Sequence, residues 1–431
     1  MRGFSEYVQT LRTLVATGLA NPANFRASQP LAAALDGQPG RKLRRLVSLR
    51  ERRFAGAFFT GSRLASEIVR DHLSNKQFET VICDPACGAG DLLVAASERL
   101  PVVEDLKTTL NLWAANLRGY DIHEEFVVAT KLRLVLAAMR RGARSGGRVT
   151  VNQLTSLFAG IVRGNGLTAD YGDVGAIIMN PPYGSSLAPD GCSWATGSVS
   201  EAALFTAELC YKLHPQTRIV AILPDVLRTG TRYAKWRQNI EHWLAVDSVR
   251  MVGLFDPWTD VDVFVFSGER LPRNTHGTKA TWWVDHGFSH RVSDLFDVHV
   301  GPVVPHRDPD SGPWHRFLHA RLVPPWKGFD VADAPSRRFD RRTFTPPFVV
   351  IRRTSRPDDG HRAIGTIVTG TKSVAVENHL LVALPRARGL DACLELLAVL
   401  RQDATDAWLN ARIRCRHLTV GAVSEIPWRQ P

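Results

Sequence analysis

From about residue 54 to residue 270 the chain alternates short apolar runs with longer stretches of helical period. The short runs are Thr80–Cys83, Leu117–Tyr120, Val149–Val151, Ala176–Met179, Arg218–Leu223, Ser248–Leu254 and Val261–Phe266. Each has the length and character of a strand. Between them, Ser62–Leu73, Asp91–Leu100, Glu125–Arg140 and Glu201–Leu213 carry apolar residues at helical spacing. Alternation of this kind predicts an α/β fold, a doubly wound Rossmann-like sheet with helices on both faces. Such sheets bind ligands beyond the carboxyl ends of their strands, where the strand order reverses.

The flanks read differently. Leu11, Leu14 and Val15 have helical spacing and Asn21-Pro22 ends the pattern, so residues 1–45 are expected to form a helical lead-in. Arg41 to Arg53 interleaves basic residues with Leu43, Leu46 and Leu49, as an amphipathic helix would; its charged face suits either solvent or phosphate. The core domain is expected over residues 46–270. Beyond it the rhythm is lost and Pro, Trp, His and Arg become frequent, as in Trp282-Trp283, Trp314-His315 and Pro324-Pro325-Trp326. A strand-like run at Pro347–Arg352 and a helix-like run at Leu390–Asn410 predict a separate, mixed α+β domain over residues 271–431.

Composition narrows the class. The 431 residues carry 54 Lys plus Arg against 42 Asp plus Glu, a net charge of +12. That excess favours a polyanionic partner over a basic surface with no particular ligand. The six cysteines form no CxxC pair, so neither a disulfide scaffold nor a metal site is expected, and a reducing cytoplasm fits. No apolar run approaches the roughly 18 residues of a membrane span.

Three motifs carry the chemistry. Asp84-Pro85-Ala86-Cys87-Gly88-Ala89-Gly90 follows one predicted strand and opens a helix. Glycines there let the backbone turn tightly and approach a ligand, and the helix presents unpaired N–H groups. The P-loop lysine is missing. Some 30 residues on, Gly119-Tyr120-Asp121-Ile122 puts an acidic residue at the end of the next strand, where it can accept from two ribose hydroxyls. Asn180-Pro181-Pro182-Tyr183 follows the strand Ala176–Met179. The prolines fix the backbone just past the strand end. The Asn180 side chain and the Pro181 carbonyl can then offer two acceptors to one amino group. An exocyclic amine is a poor nucleophile because its lone pair is delocalised into the ring. Holding its two hydrogens favours the tetrahedral form without a strong base or a covalent intermediate. Tyr183 offers a flat face for an extruded base.

In order and spacing these motifs resemble the gamma-class N6-adenine DNA methyltransferases, the TaqI group, over residues 50 to 270. Phe58-Phe59-Thr60 is similar to the aromatic–threonine element that precedes the glycine motif in that group. The resemblance implies S-adenosylmethionine as cofactor, with Phe59, Thr60, Asp84, Ala86, Gly88, Gly90, Asp121 and Ile122 around it. It implies catalysis by Asn180, Pro181, Pro182 and Tyr183. Phe255 falls where the group stacks an aromatic on the flipped adenine, although core packing would serve that residue equally well. Members usually have an acidic residue after the third strand. Here Val149-Thr150-Val151-Asn152-Gln153 has none, and Asn152 is the expected substitute.

The same resemblance makes residues 271–431 a target-recognition domain for double-stranded DNA. Arg352, Arg353, Arg356, Lys372, Arg412, Arg414 and Arg416 are its candidate contacts, arginine suiting guanine edges and lysine phosphate. The implied setting is restriction-modification or phage defence, with any restriction or defence subunit a separate chain. An RNA adenine methyltransferase, a protein glutamine methyltransferase and a non-catalytic DNA-binding subunit are the alternatives.

Overall fold

The computed structural model describes residues 2–54, 58–255, 261–272, 275, 277, 279–283, 289–387 and 389–428. The chain forms two compact units, Met1–Leu227 with Arg232–Ala280, and Arg228–Thr231 with Thr281–Pro431.

The first unit is built on a seven-stranded sheet. Its strands are β1 (Val81–Asp84), β2 (Leu117–Asp121), β3 (Ile161–Arg163), β4 (Val174–Met179), β7 (Arg218–Pro224), β8 (Leu244–Leu254) and β9 (Asp262–Arg270). Between β4 and β7 lies a separate hairpin of β5 (Ser185–Leu187) and β6 (Ser198–Ser200). The sheet order is β3-β2-β1-β4-β7-β9-β8. The first five strands run parallel, and β9 inserts antiparallel between β7 and β8. From β1 the chain builds outward to β3, returns to β4 and builds the other way. The reversal therefore falls between β1 and β4, and their carboxyl ends flank the crevice where this architecture takes its ligand. β1, β4 and β7 are buried nearly throughout, which is why they read as continuous apolar runs rather than alternating ones.

The N-terminal helix Ser5–Ala20 packs on the helix Glu124–Arg140. Tyr7, Leu11 and Val15, one turn apart, are fully buried in the same core as β1 and β4. Phe4 reaches further: its ring meets Phe126 at 5.0 Å and Phe59 at 5.8 Å. The lead-in thus belongs to the core that carries the sheet.

Three expectations change. Val149–Val151 is not a strand: Thr150 caps a short helix, Val151–Ser156, in a capping box with Gln153. The third strand is Ile161–Arg163 instead. The Arg41–Arg53 helix breaks at Val47-Ser48 into Gln38–Leu46 and Leu49–Phe54, with Ser48 and Glu51 exchanging hydrogen bonds at the restart. Leu390–Asn410 is likewise two helices, Leu390–Leu400 and Asp403–Arg412. Among the described residues no helix is long and apolar enough to cross a membrane.

The second unit has two small sheets. The larger runs β10 (Phe296–Val300), β17 (Leu380–Pro385), β14 (Phe348–Arg352), β15 (Gly365–Thr369), β12 (Gly328–Asp330). The smaller runs β13 (Ser336–Arg338), β11 (Trp314–Leu318), β16 (Val374–Val376). Leu396, Leu397 and Leu400 of the helix Leu390–Leu400 share a core with Val349, Ile351 and Ile367 of the larger sheet, while the opposite face of that sheet shares a core with β11 and β16.

Candidate active site

The chain leaves β1 through Asp84, whose carboxylate accepts from the Ala86 N–H at 3.1 Å. It then turns back on itself: the Cys87 N–H donates to the Tyr120 carbonyl and the Gly90 N–H to the Cys87 carbonyl, both at 2.8 Å. Gly88 and Gly90 hold φ of +51° and +83°, the left-handed region that side chains resist. Space is as tight as the torsion. A Cβ on Gly88 would stand 2.9 Å from the Phe59 ring and one on Gly90 2.7 Å from Thr130.

Asp121 ends β2 beneath this loop. One carboxylate oxygen accepts from the Gly88 N–H at 3.0 Å and the other from the His123 N–H at 2.8 Å. Each oxygen keeps a further lone pair, so the group can still accept from two hydroxyls. Burial pushes its pKa up from 3.8 to about 6, against the pull of the two amides. Burial also raises Asp84 well above the carboxylate range, helped by the neighbouring Asp121 and Asp91.

Beyond the loop, Asp91 opens the helix Asp91–Ser97 and pairs with Arg133 at 2.8 Å, the arginine being fully buried. Arg133 also donates to the carbonyls of Ala34, Leu35 and Ala89. The second Asp91 oxygen accepts from the Gly61 N–H at 2.7 Å. One buried ion pair therefore ties the lead-in, the glycine loop and the Thr60 segment together.

Asn180 follows β4. Its Nδ2 donates to the Phe58 carbonyl at 3.1 Å and to Thr60 Oγ1 at 3.2 Å. The Phe58 carbonyl can only accept, so the amide nitrogen must face it. Asn180 Oδ1 is then left buried with no hydrogen-bond partner among the described residues. Three residues on, Tyr183 stacks on Phe58 at 6.0 Å and takes Phe255 edge-on at 5.8 Å.

These pieces enclose a cavity of about 430 Å³ at the carboxyl ends of β1 to β4. Phe59, Thr60, Asp84, Ala86, Gly88, Asp121 and Ile122 line it, as do Asn180 and Pro182. Gly90 sits behind the wall, at the cap of the helix it starts. Tyr183 and Phe255 adjoin Phe58, which does line it, and Pro181 is buried. Asn152 is misplaced by the sequence reading. It lies on the short helix after Thr150, accepts from Arg12 at 2.8 Å and does not line the cavity. The loop after β3, Gly164 to Leu167, lines the wall in its stead. Its Gly-Asn-Gly run after Ile161-Val162 is a turn signal the sequence offers. Glu201, Leu204 and Phe205 complete another wall that no motif announced. The donor set fits S-adenosylmethionine. It offers a buried acidic acceptor for ribose hydroxyls, Ile122 and Phe205 as apolar surface for a flat base, and Asp84 near the glycine loop for an amino group.

Residues 45–249 match the model of the N-6 DNA methylase family. Over this segment the chain is similar to the N-6 DNA methylases. No curated protein matches the chain by sequence. Among solved structures, the type IIL restriction-modification enzyme MmeI in complex with DNA is 13% identical, covers 91% of this chain and 71% of its own, and superposes with a TM-score of 0.55. The type I restriction enzyme EcoKI M protein is 16% identical over 53% of this chain and 47% of its own, with a TM-score of 0.37. The type IIG restriction endonuclease BpuSI is 14% identical over 85% and 57%, also at 0.37. The chain thus spans about half the length of these last two. The likeness to MmeI is one of fold.

Asp121 gives the cavity a pH signature. Because burial raises its folded pKa, its contribution to apo stability is full below about pH 4 and lost as pH rises through about 6. We propose that cofactor binding works in the opposite sense, two ribose hydroxyl donors needing the carboxylate. We expect affinity for S-adenosylmethionine to rise by roughly tenfold per unit up to about pH 6 and to level off above it. Asp121→Asn should flatten the profile. Calorimetric titration at pH 5.0 and 7.5 tests this, and equal affinities for the parent chain would refute it.

In the second unit the candidate DNA residues divide. Arg356, Lys372 and Arg416 are exposed and Arg414 is half-exposed. Arg352 donates to the Val323 carbonyl at 3.2 Å. Arg353 donates to the Leu418 and Asn378 carbonyls, both at 3.3 Å, so these two brace loops. Arg412 is not a surface contact. It is 4% exposed, pairs with Glu425 at 2.7 Å and lies 3.7 Å over the Trp283 ring. Trp314, which no motif marks, is 68% exposed and directly opposite Arg338 in the smaller sheet.

Proposed function

We propose that the chain is a site-specific DNA methyltransferase, moving a methyl group from S-adenosylmethionine to N6 of an adenine turned out of a duplex. The observation that carries this reading is the unpartnered Asn180 Oδ1. A buried acceptor without a donor costs about 1–3 kcal/mol, and here it adjoins the cofactor cavity, where a substrate amino group would satisfy it.

S-adenosylmethionine, when bound, supplies an electrophilic methyl on its sulfonium. Asp121 would accept from the ribose hydroxyls, while the amides of the glycine loop and Asp84 would hold the methionine end. Asn180 Oδ1 and the Pro181 carbonyl would accept the two hydrogens of the adenine amine and turn its lone pair toward the cofactor. Phe58 and Thr60 keep the amide oxygen aimed, and Tyr183, braced by Phe58 and Phe255, offers its face to the base. The family name of residues 45–249 supports N6 as the acceptor. The charge of +12 supports a polyanionic substrate. Arg356, Lys372, Arg414 and Arg416 are proposed as duplex contacts on a recognition unit over residues 271–431. The setting is restriction-modification or phage defence, with any restriction subunit on a separate chain.

Methylation-aware long-read sequencing of DNA from cells expressing the chain, beside an Asn180→Ala control, tests the reading. N6-methyladenine at one recurrent motif, absent from the control, is the expected result. Unmodified DNA in both would turn the proposal toward RNA or protein amides.

A further inference from the structure

The most exposed large apolar side chain among the described residues is Leu187, at 77%. A single exposed leucine is ordinary on a protein surface. This one is singled out by where it stands. The backbone runs from Asn180 along the cavity, and Ser186 lines that cavity six residues on. β5 and β6 pair antiparallel, so successive side chains alternate between faces. Ser186 and the buried Val199 face inward. Leu187 therefore projects from the opposite face, into solvent at the rim. Its neighbours on that face are Ser185, Ser198 and Ser200, small polar residues that leave the leucine standing alone.

The hairpin is also stiff. The Ala188 N–H donates to the Gly197 carbonyl at 2.8 Å, and Arg232 holds the Thr196 carbonyl at 2.8 Å. The Ser200 N–H donates to the Tyr233 hydroxyl at 3.1 Å, and Trp194 packs beside the Tyr233 ring. At its base the Glu201 N–H donates to the Gly184 carbonyl at 3.0 Å. A braced hairpin is thus attached to the catalytic turn and carries one apolar point at its edge.

Resting on the reading of the site as a duplex DNA methyltransferase, we propose that Leu187 is the wedge that enters the base stack and fills the gap left by the extruded adenine. Extrusion breaks stacking on both sides of the target, and an apolar side chain in the vacated space offsets part of that loss. A fixed hairpin loses little conformational freedom in placing it.

The test uses duplexes carrying the motif mapped by sequencing, in two forms: fully paired, and with an abasic position opposite the target adenine. Single-turnover methylation by the parent chain is compared with Leu187→Ala and Leu187→Phe. Leu187→Ala should slow the paired duplex by about tenfold or more, with S-adenosylmethionine affinity within about twofold of the parent. The abasic partner should restore its rate, because extrusion there costs little, and Leu187→Phe should retain most activity on the paired form. Equal rates for the parent and Leu187→Ala on paired DNA overturn the wedge. So does a loss that the abasic duplex fails to repair, which would place Leu187 in some other contact. No methylation of either duplex by the parent chain overturns the methyltransferase reading and the wedge together.

Discussion

Asn180→Ala is expected to lower the single-turnover methylation rate by about 10²–10³-fold, the range seen when one preorganised polar group is removed from a reacting centre. Cofactor affinity should change far less. The variant also loses two ordinary hydrogen bonds, to the Phe58 carbonyl and Thr60 Oγ1, each worth roughly 0.5–1.5 kcal/mol. Asn180→Asp is the more telling partner. It keeps an acceptor but has no hydrogens for the Phe58 carbonyl, so the oxygen that should face the substrate is no longer held. Its rate should fall between alanine and the parent. Rapid-quench kinetics with calorimetric affinities would separate the two effects. An Asn180→Ala rate within tenfold of the parent would remove Asn180 from the chemistry.

Arg133→Met is expected to cost about 3–5 kcal/mol of stability, because it leaves Asp91 as a buried charge without its partner. Three carbonyls lose a donor at the same time, those of Ala34, Leu35 and Ala89. Arg133→Lys should be intermediate, since an ammonium can meet Asp91 but cannot reach all three carbonyls from one point. Urea unfolding followed by far-UV circular dichroism measures both. A loss below about 1 kcal/mol for Arg133→Met would mean that water or rearrangement replaces the pair.

What the sequence made legible follows from how local each signal is. Asp84 to Gly90 and Asn180 to Tyr183 declare themselves because glycine and proline fix the backbone where they stand, and the chemistry sits on that backbone. Strands buried on both faces, such as β4 and β7, are continuous apolar runs and need no partner to be seen. The third strand offered no such run. Only Ile161 of β3 is buried, while Val149 and Val151 flank Thr150, whose capping box with Gln153 starts a helix instead. Charged residues misled most, since a sequence does not say which arginine is solvated. Arg412 looked like part of a basic cluster, yet its partner Glu425 is a helix away. Arg133 sits between Leu132 and Leu134 in a helix apolar nearly all round, a hint of burial, but Asp91 lies 42 residues earlier.

Every residue lining the cavity falls between Phe58 and Phe205, inside the first unit. On the proposed function, affinity for a donor used with every target lies in residues 58–205, apart from the stretch proposed to choose among targets. On that reading, changes within residues 281–431 are expected to leave the cavity residues as they are. A change to the cavity, by contrast, would touch every proposed target at once. Chimaeras that exchange the second unit are the natural route to altered preference, with cofactor affinity as the property that should travel unchanged.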